Sequence, residues 1–179
     1  MFDDEIKKYD EDFDLAHFYT KVDHIFTMIL SAIMERDTSN VKHYLSNEIY
    51  EDYNKLINSY IEDKKIRLFD EMNVKSTDII DVYKNNYGIN IVVKLVSRYM
   101  DYFIDEEGKY INGINDHRIE VDHEIVFTKK LDTKELKEVR KCPSCGNSLD
   151  INVTGVCPYC KQTIDMSNYD YIVTKITKI

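Results

Sequence analysis

The sequence predicts an α+β domain in which N-terminal helices cover one face of an antiparallel sheet and a small metal hairpin interrupts the sheet before its last strand. Three observations carry this. Apolar residues recur every three or four positions from Phe13 to Tyr60, then at every second position within segments between Ser76 and Lys130, and all four cysteines fall between residues 142 and 160. At 179 residues and 21.2 kDa the chain suits one ordinary domain plus a small insertion. Five glycines and two prolines, with 43% hydrophobic residues, argue against a disordered or loop-dominated chain.

The opening stretch MFDDEIKKYDEDFD holds seven acids and two lysines and supplies most of the formal charge of -9. It is the opposite of the basic region that opens a secretory signal, and it does not fit an arginine-rich transit peptide. Residues 1–12 read as an acidic leader, ordinarily a solvated tail, able to meet a basic patch on a partner. The most apolar run, IFTMILSAIM at 25–34, is ten residues, about half of a bilayer crossing. A cytoplasmic protein with no integral membrane segment is expected, with peripheral membrane contact left open.

From Phe13, FDLAHFYTKVDHIFTMILSAIMERD places Phe18, Val22, Ile25, Ile29 and Ile33 three or four apart, and Asp12 or Asp14 can cap the first turn. This predicts an amphipathic helix of about six turns. Thr38 and Ser39 can cap a short second helix through Val41, Tyr44 and Leu45, and Ser46 or Asn47 can open a third through Ile49, Tyr53, Leu56 and Tyr60. STDIIDVYKN is strand-like, and INIVVKLVSRYM puts Ile91, Val93, Leu95 and Tyr99 on one face with Ser97 as the interruption. FIDEEGKYING reads as a connection, with Gly108 able to take the left-handed turn position and Gly113 a second flexible point. RIEVDHEIVFTKK puts Val121, His123, Ile125 and Phe127 on one face, and YDYIVTKITKI supplies the last strand.

In CPSCGNSLDINVTGVCPYC, each Cys-x-x-Cys turn can aim two thiolates at one point, so Cys142, Cys145, Cys157 and Cys160 supply the four ligands of a tetrahedral site. Pro143 and Pro158 preset the turns, and Gly146 permits the positive φ such a knuckle needs. Disulfides would require an oxidising compartment, and no export signal is visible. A thioredoxin-type redox pair should open a helix in a βαβ unit, which the surrounding sequence does not show. Iron in a rubredoxin-like site is the remaining rival, but the short separation of the pairs favours a zinc ribbon. Four sulfur ligands leave no open position, so the expected zinc is structural. Between Gly146 and Gly155 only Leu149, Ile151 and Val153 are available to pack, too few to fold the hairpin without metal.

Lys141 and Lys161 are balanced by Asp150 and Asp165, so the ribbon has no net charge; the basic residues Lys129, Lys130, Lys134, Lys137, Arg140 and Lys141 precede it. Nucleic acid is therefore not an expected partner. The histidines at 17, 24, 43, 117 and 123 form no metal-ligand spacing, and no P-loop, dinucleotide-binding or serine-hydrolase motif occurs.

MERDTSNVKHYLSNEIY, SRYMDYFIDEEGKYINGIN, EIVFTKK, the CPSCG and CPYC knuckles and a final YIVTKI together resemble bacterial proteins of the Tim-forty-four-like family. These are relatives of the C-terminal domain of the mitochondrial import motor's scaffold subunit. The resemblance runs over roughly residues 15–179 and is most specific at Arg36 and Asp37, at Asp101, Tyr102, Asp105 and Gly108, and at the ribbon. Ile125 and Tyr171 stand where the family has tryptophan, and Lys129 where it has arginine.

The resemblance implies a nuclear-transport-factor-two-like cone, in which a curved antiparallel sheet wraps a helix and leaves a concave pocket. Residues 13–130 plus 167–179 would form the cone, with 131–166 as linker and ribbon. It implies a non-enzymatic binding or scaffold module, transport-related, with a peptide, lipid or protein partner in the sheet pocket. Related cone folds host isomerases and dehydratases, so a small pocket enzyme is the alternative, with Asp101, Tyr102 and His123 as candidate groups.

Overall fold

A computed structural model of the chain describes residues 2–131, 142, 144–148, 156–164 and 170–178. Helices α1 (Phe2–Lys7), α2 (Leu15–Glu35) and α3 (Asn47–Glu62), with a 3-10 turn at Lys42–Tyr44, precede strands β1 (Lys65–Lys84), β2 (Ile89–Asp105), β3 (Tyr110–Lys129) and β4 (Ile172–Lys178). The strands form one antiparallel sheet in the order β1-β2-β3-β4. The α+β architecture follows the sequence pattern, and the cysteines fall before the last strand.

The capping chemistry fixes the helix ends. Asp14 accepts the His17 N–H at 2.7 Å and opens α2; Ser46 does the same for Ile49 in α3. Arg36 closes α2 in the left-handed conformation, φ 57°, and the next residue's N–H bonds to the Ala32 carbonyl. Between these caps the stripe Phe18, Val22, Ile25, Ile29 and Ile33 is buried. It meets the inward residues of β2 and β3, where Ile91, Val93, Leu95, Tyr99, Val121, Ile125 and Phe127 are all core. Ser97 keeps its place on that face by donating to the Val121 carbonyl at 3.4 Å. The outer face carries an ionic ladder instead: Lys94 with Asp122, and both Lys75 and Arg98 with Glu120.

The strands run further than the alternation predicts. β1 begins at Lys65 rather than near Ser76, and FIDEEGKYING is a tight hairpin rather than a long connection. Asp105 Oδ1 accepts the N–H groups of Glu107 and Lys109, Gly108 takes φ 86°, and the two strands resume pairing at once. Arg67 and Asp101 occupy the covered face here and the first residues of β3 are largely exposed, so the hydropathy of this end does not alternate. Register shifts near Asp70, Val74, Ile79, Tyr99 and Phe103 bend the long strands around α2. Gly113 belongs to this bending: at φ 109° it lies so close to β2 that a Cβ would fall 2.4 Å from the Tyr102 Cα.

The acidic leader is not a detached tail. Phe2–Lys7 is helical, Ile6 is fully buried in the main core, and Asp10 accepts from Lys129 Nζ at 2.7 Å. One buried isoleucine among acids is too short a pattern to reveal this in sequence. Beside it, Phe13, Phe18, Phe127 and Tyr171 form an aromatic cluster with centroid separations of 5.4–5.9 Å, joining α2, β3 and the residue before β4. Lys129 Nζ lies 5.5 Å from the Tyr171 ring centroid, at the edge of this cluster.

Candidate metal centre

Two knuckles of like construction bring the cysteines together. In the first, the Gly146 N–H bonds to the Cys142 carbonyl and the Cys142 N–H to the Asn147 carbonyl, both at 2.8 Å. In the second, Lys161 bonds to Cys157 and Cys157 to Gln162, both at 2.9 Å. The fourth residue after each leading cysteine must be left-handed for this to close: Gly146 has φ 72° and Lys161 has φ 61°. The glycine was legible as a knuckle residue, whereas nothing in the lysine marks it.

All four sulfurs lie within 4.8 Å of one another, with Cys142 to Cys160 at 3.6 Å and Cys145 to Cys157 at 3.7 Å. A tetrahedron of sulfurs each about 2.3 Å from an ion has edges of about 3.8 Å, so the set fits a bound metal. A disulfide needs about 2.05 Å, and none of the four cysteines is bonded to another. The Asn147 side-chain amide donates to Cys145 Sγ at 3.5 Å, the kind of outer contact that orients a thiolate ligand.

The electrostatics point the same way. The Cys160 N–H, helped by that of Tyr159, pulls the Cys157 thiol down to about 6. Cys160 is favoured as thiolate by the Gln162 N–H, but desolvation and the sulfurs of Cys142, Cys157 and Cys145 outweigh it and push the thiol up to about 11. Four thiolates this close repel one another unless a cation sits among them.

Cys142 and Cys157 are buried and pack with Ile164 and with Ile172, the first residue of β4. The site therefore bears directly on the point where the chain re-enters the sheet. Leu149, Ile151 and Val153, expected to be the hairpin's apolar residues, lie outside the described residues, as do Pro143 and residues 132–141 of the basic linker.

Asp101, Tyr102 and His123 do not converge. Asp101 and Tyr102 are consecutive on β2 and point to opposite faces, Asp101 to Arg67 and Tyr102 to Asp70 at 2.5 Å. His123 stands opposite Leu95, six residues or about 20 Å along the strand from Asp101. Arg36, Asp37, Asp105 and Gly108 are turn and cap residues, with Asp37 accepting the Ser39 N–H at 2.9 Å. The concave side of the sheet is largely filled by α2, and the groove left between α2, α3 and the sheet is about 160 Å³. That is smaller than the roughly 300 Å³ at which ligand pockets usually begin.

His123 lines this groove with Nε2 unpartnered and its ring 4.8 Å from that of Phe26. Burial, with Lys178 adding and Asp122 opposing, lowers its pKa to about 4. The folded state thus holds it neutral while the unfolded chain protonates it near 6.5. Its contribution is complete above about pH 6.5 and is lost as pH falls toward 4. Urea melts across that range are expected to lose part of their acid slope in His123→Leu, and an unchanged slope would contradict this assignment.

Among the described residues, no helix is long and apolar enough to cross a membrane. The family model of the Tim44-like domain matches residues 3–139, beginning within the acidic leader and ending before the first cysteine. No curated protein matches the chain.

Proposed function

The chain belongs to the Tim44-like domain family, and from that premise we propose that it is a non-enzymatic binding or scaffold module whose Cys142, Cys145, Cys157 and Cys160 hold one structural zinc ion. The observation that carries this reading is the pair of matched knuckles with sulfurs at tetrahedral separations. Zinc suits an all-thiolate tetrahedron and would supply cross-linking there, with no coordination position left for a substrate. The cysteines would fix the approach of the chain to β4 through the packing of Cys142 and Cys157 on Ile172.

On this reading residues 13–130 and 167–179 form the cone and 131–166 the insertion. The role is transport-related, as the family suggests, in a cytoplasmic setting. The apolar groove lined by Leu30, Ile33, Leu56 and Phe69 is the seat proposed for part of a protein, peptide or lipid partner, one side chain or chain end rather than a whole small molecule. Metal analysis of untreated protein is expected to return one zinc per chain, with thiols that react only after chelation. Four freely reactive thiols with neither zinc nor iron would overturn the metal assignment. Native mass spectrometry and affinity capture are expected to recover a partner that Leu56→Glu loses, and capture indifferent to that change would overturn the groove.

A further inference from the structure

The chain has no cysteine outside the cluster, so oxidation of these thiols within one molecule can join them only to one another. They differ in access. Cys145 and Cys160 are exposed, whereas Cys142 and Cys157 are buried and pack with Ile164 and Ile172. Each exposed sulfur has a buried sulfur of the other knuckle close by: Cys160 lies 3.6 Å from Cys142, and Cys145 lies 3.7 Å from Cys157. A soluble oxidant therefore meets the exposed thiolate first, with a buried thiolate of the opposite knuckle as the nucleophile within reach.

Contacts that owe nothing to a metal hold the knuckles side by side. The Ser144 hydroxyl donates to Gln162 Oε1 at 3.4 Å, from the first knuckle to the second. Within each knuckle the leading cysteine is tied through its own N–H and carbonyl, Cys142 to Asn147 and Gly146, Cys157 to Gln162 and Lys161. Packing of the two buried cysteines with Ile164 and Ile172 adds an apolar contact between them. Closing each cross-knuckle pair from 3.6 and 3.7 Å to a bond of about 2.05 Å is a small movement of side chains on turns that are already fixed.

We propose that the cluster is a redox-responsive staple: a hydroperoxide converts it to two cross-knuckle disulfides, Cys142 with Cys160 and Cys145 with Cys157, which expel the metal and keep the chain fastened at β4. The expulsion of metal rests on the zinc reading of the site; the pairing of the sulfurs does not. In each pair the exposed thiolate attacks a peroxide oxygen and the O–O bond breaks, leaving a sulfenic acid and a hydroxide that takes up a proton. The buried thiolate then attacks the sulfenic sulfur; the S–S bond forms, the S–O bond breaks and, with a second proton, another water leaves. Two peroxides thus take four electrons from four thiolates, with four protons consumed and four waters formed, and an ion that has lost its thiolates is released. A dithiol reductant restores the four ligands. Because both knuckles stay tied, Cys142 and Cys157 keep their packing on Ile172, and the oxidised protein gives up its ion without loosening the sheet.

Hydrogen peroxide added to the full metal-loaded chain tests this, with released zinc read by a chromogenic chelator and one ion expected for every two peroxides consumed. Cleavage after Lys141 and Lys161 excises all four cysteines in one peptide, and a further cut before Asp150 divides the two knuckles. Cross-knuckle disulfides hold the halves together in non-reducing mass spectrometry, and fragment ions are expected to join Cys142 to Cys160 and Cys145 to Cys157. Hydrogen exchange at Val173 should stay as slow as in the metal-loaded protein, whereas chelation with the thiols kept reduced speeds it at least about tenfold. Halves that separate, fragment ions joining Cys142 to Cys157, or exchange at Val173 as fast as in chelated protein overturn the staple. The same two disulfides formed in protein that never carried metal would overturn the zinc assignment and support the pairing.

Discussion

Cys157→Ser is expected to abolish stoichiometric zinc retention and to loosen β4 against the sheet while leaving the helices and β1–β3 folded. Cys157 is fully buried, its N–H and carbonyl close the second knuckle, and its thiol is the most readily ionised of those whose ionisation is shifted. Structural zinc sites of this kind are worth about 10 kcal/mol or more in apparent binding free energy. β4 is seven residues long, and beyond its ladder with β3 it is held by the Leu45–Val173 bridge, the Ser46 N–H to the Val173 carbonyl, the core packing of Tyr171 and Val173, and the packing of Ile172 on the cysteines, of which the last depends on the metal. Hydrogen exchange should therefore show protection lost at Val173 and Ile176, with Val93 and Ile125 protected as before. Metal retained at one equivalent, or uniform loss of protection across the sheet, would contradict the staple. Cys145→Ser, at an exposed position, should lose metal similarly, because four-coordinate retention depends on ligand number and not on burial.

Sequence periodicity revealed those parts of the fold in which one face is buried throughout. α2 and the α3 cap were legible from spacing and from Asp14 and Ser46, as were the inward faces of β2 and β3. The ends of β1, β2 and β3 were not, because the charged Arg67 and Asp101 sit on the covered face there and register shifts interrupt the period of two. The metal ligands were legible because a knuckle is local: two thiols three residues apart need only their own turn to converge. What spans the chain left no such mark. The aromatic cluster joins Phe13 and Phe18 to Tyr171, and Ile6 enters the core from a segment whose composition is otherwise acidic.

The pairing of Arg67 with Asp101 is the costliest of these long-range features, and Asp101→Ala is expected to destabilise the domain by about 3 kcal/mol. Arg67 Nε and Nη2 donate to the two Asp101 oxygens at 2.8 and 2.7 Å, and Nη1 donates to the Tyr60 hydroxyl at 3.2 Å. The guanidinium lies 4.8 Å from the Phe69 ring centroid and 5.7 Å from that of Phe103, with both partners largely covered. The fork thus ties β1 to β2 and carries the end of α3 through Tyr60. Burial alone would disfavour the charge, and Asp101 reverses this, raising the arginine's pKa further above its ordinary value. Removing the carboxylate leaves a cation between two rings with only a phenol to meet it, which is why the single change costs more than the pair contributes. Arg67→Met combined with Asp101→Leu should recover most of the loss, since apolar groups of similar volume need no counterion. Denaturant midpoints for the two single variants and the double variant measure the coupling. If Asp101→Ala left the midpoint unchanged, the pair would be an exposed ornament of the sheet; if the double variant were as unstable as the single, packing around Phe69 and Phe103 would outweigh the charge.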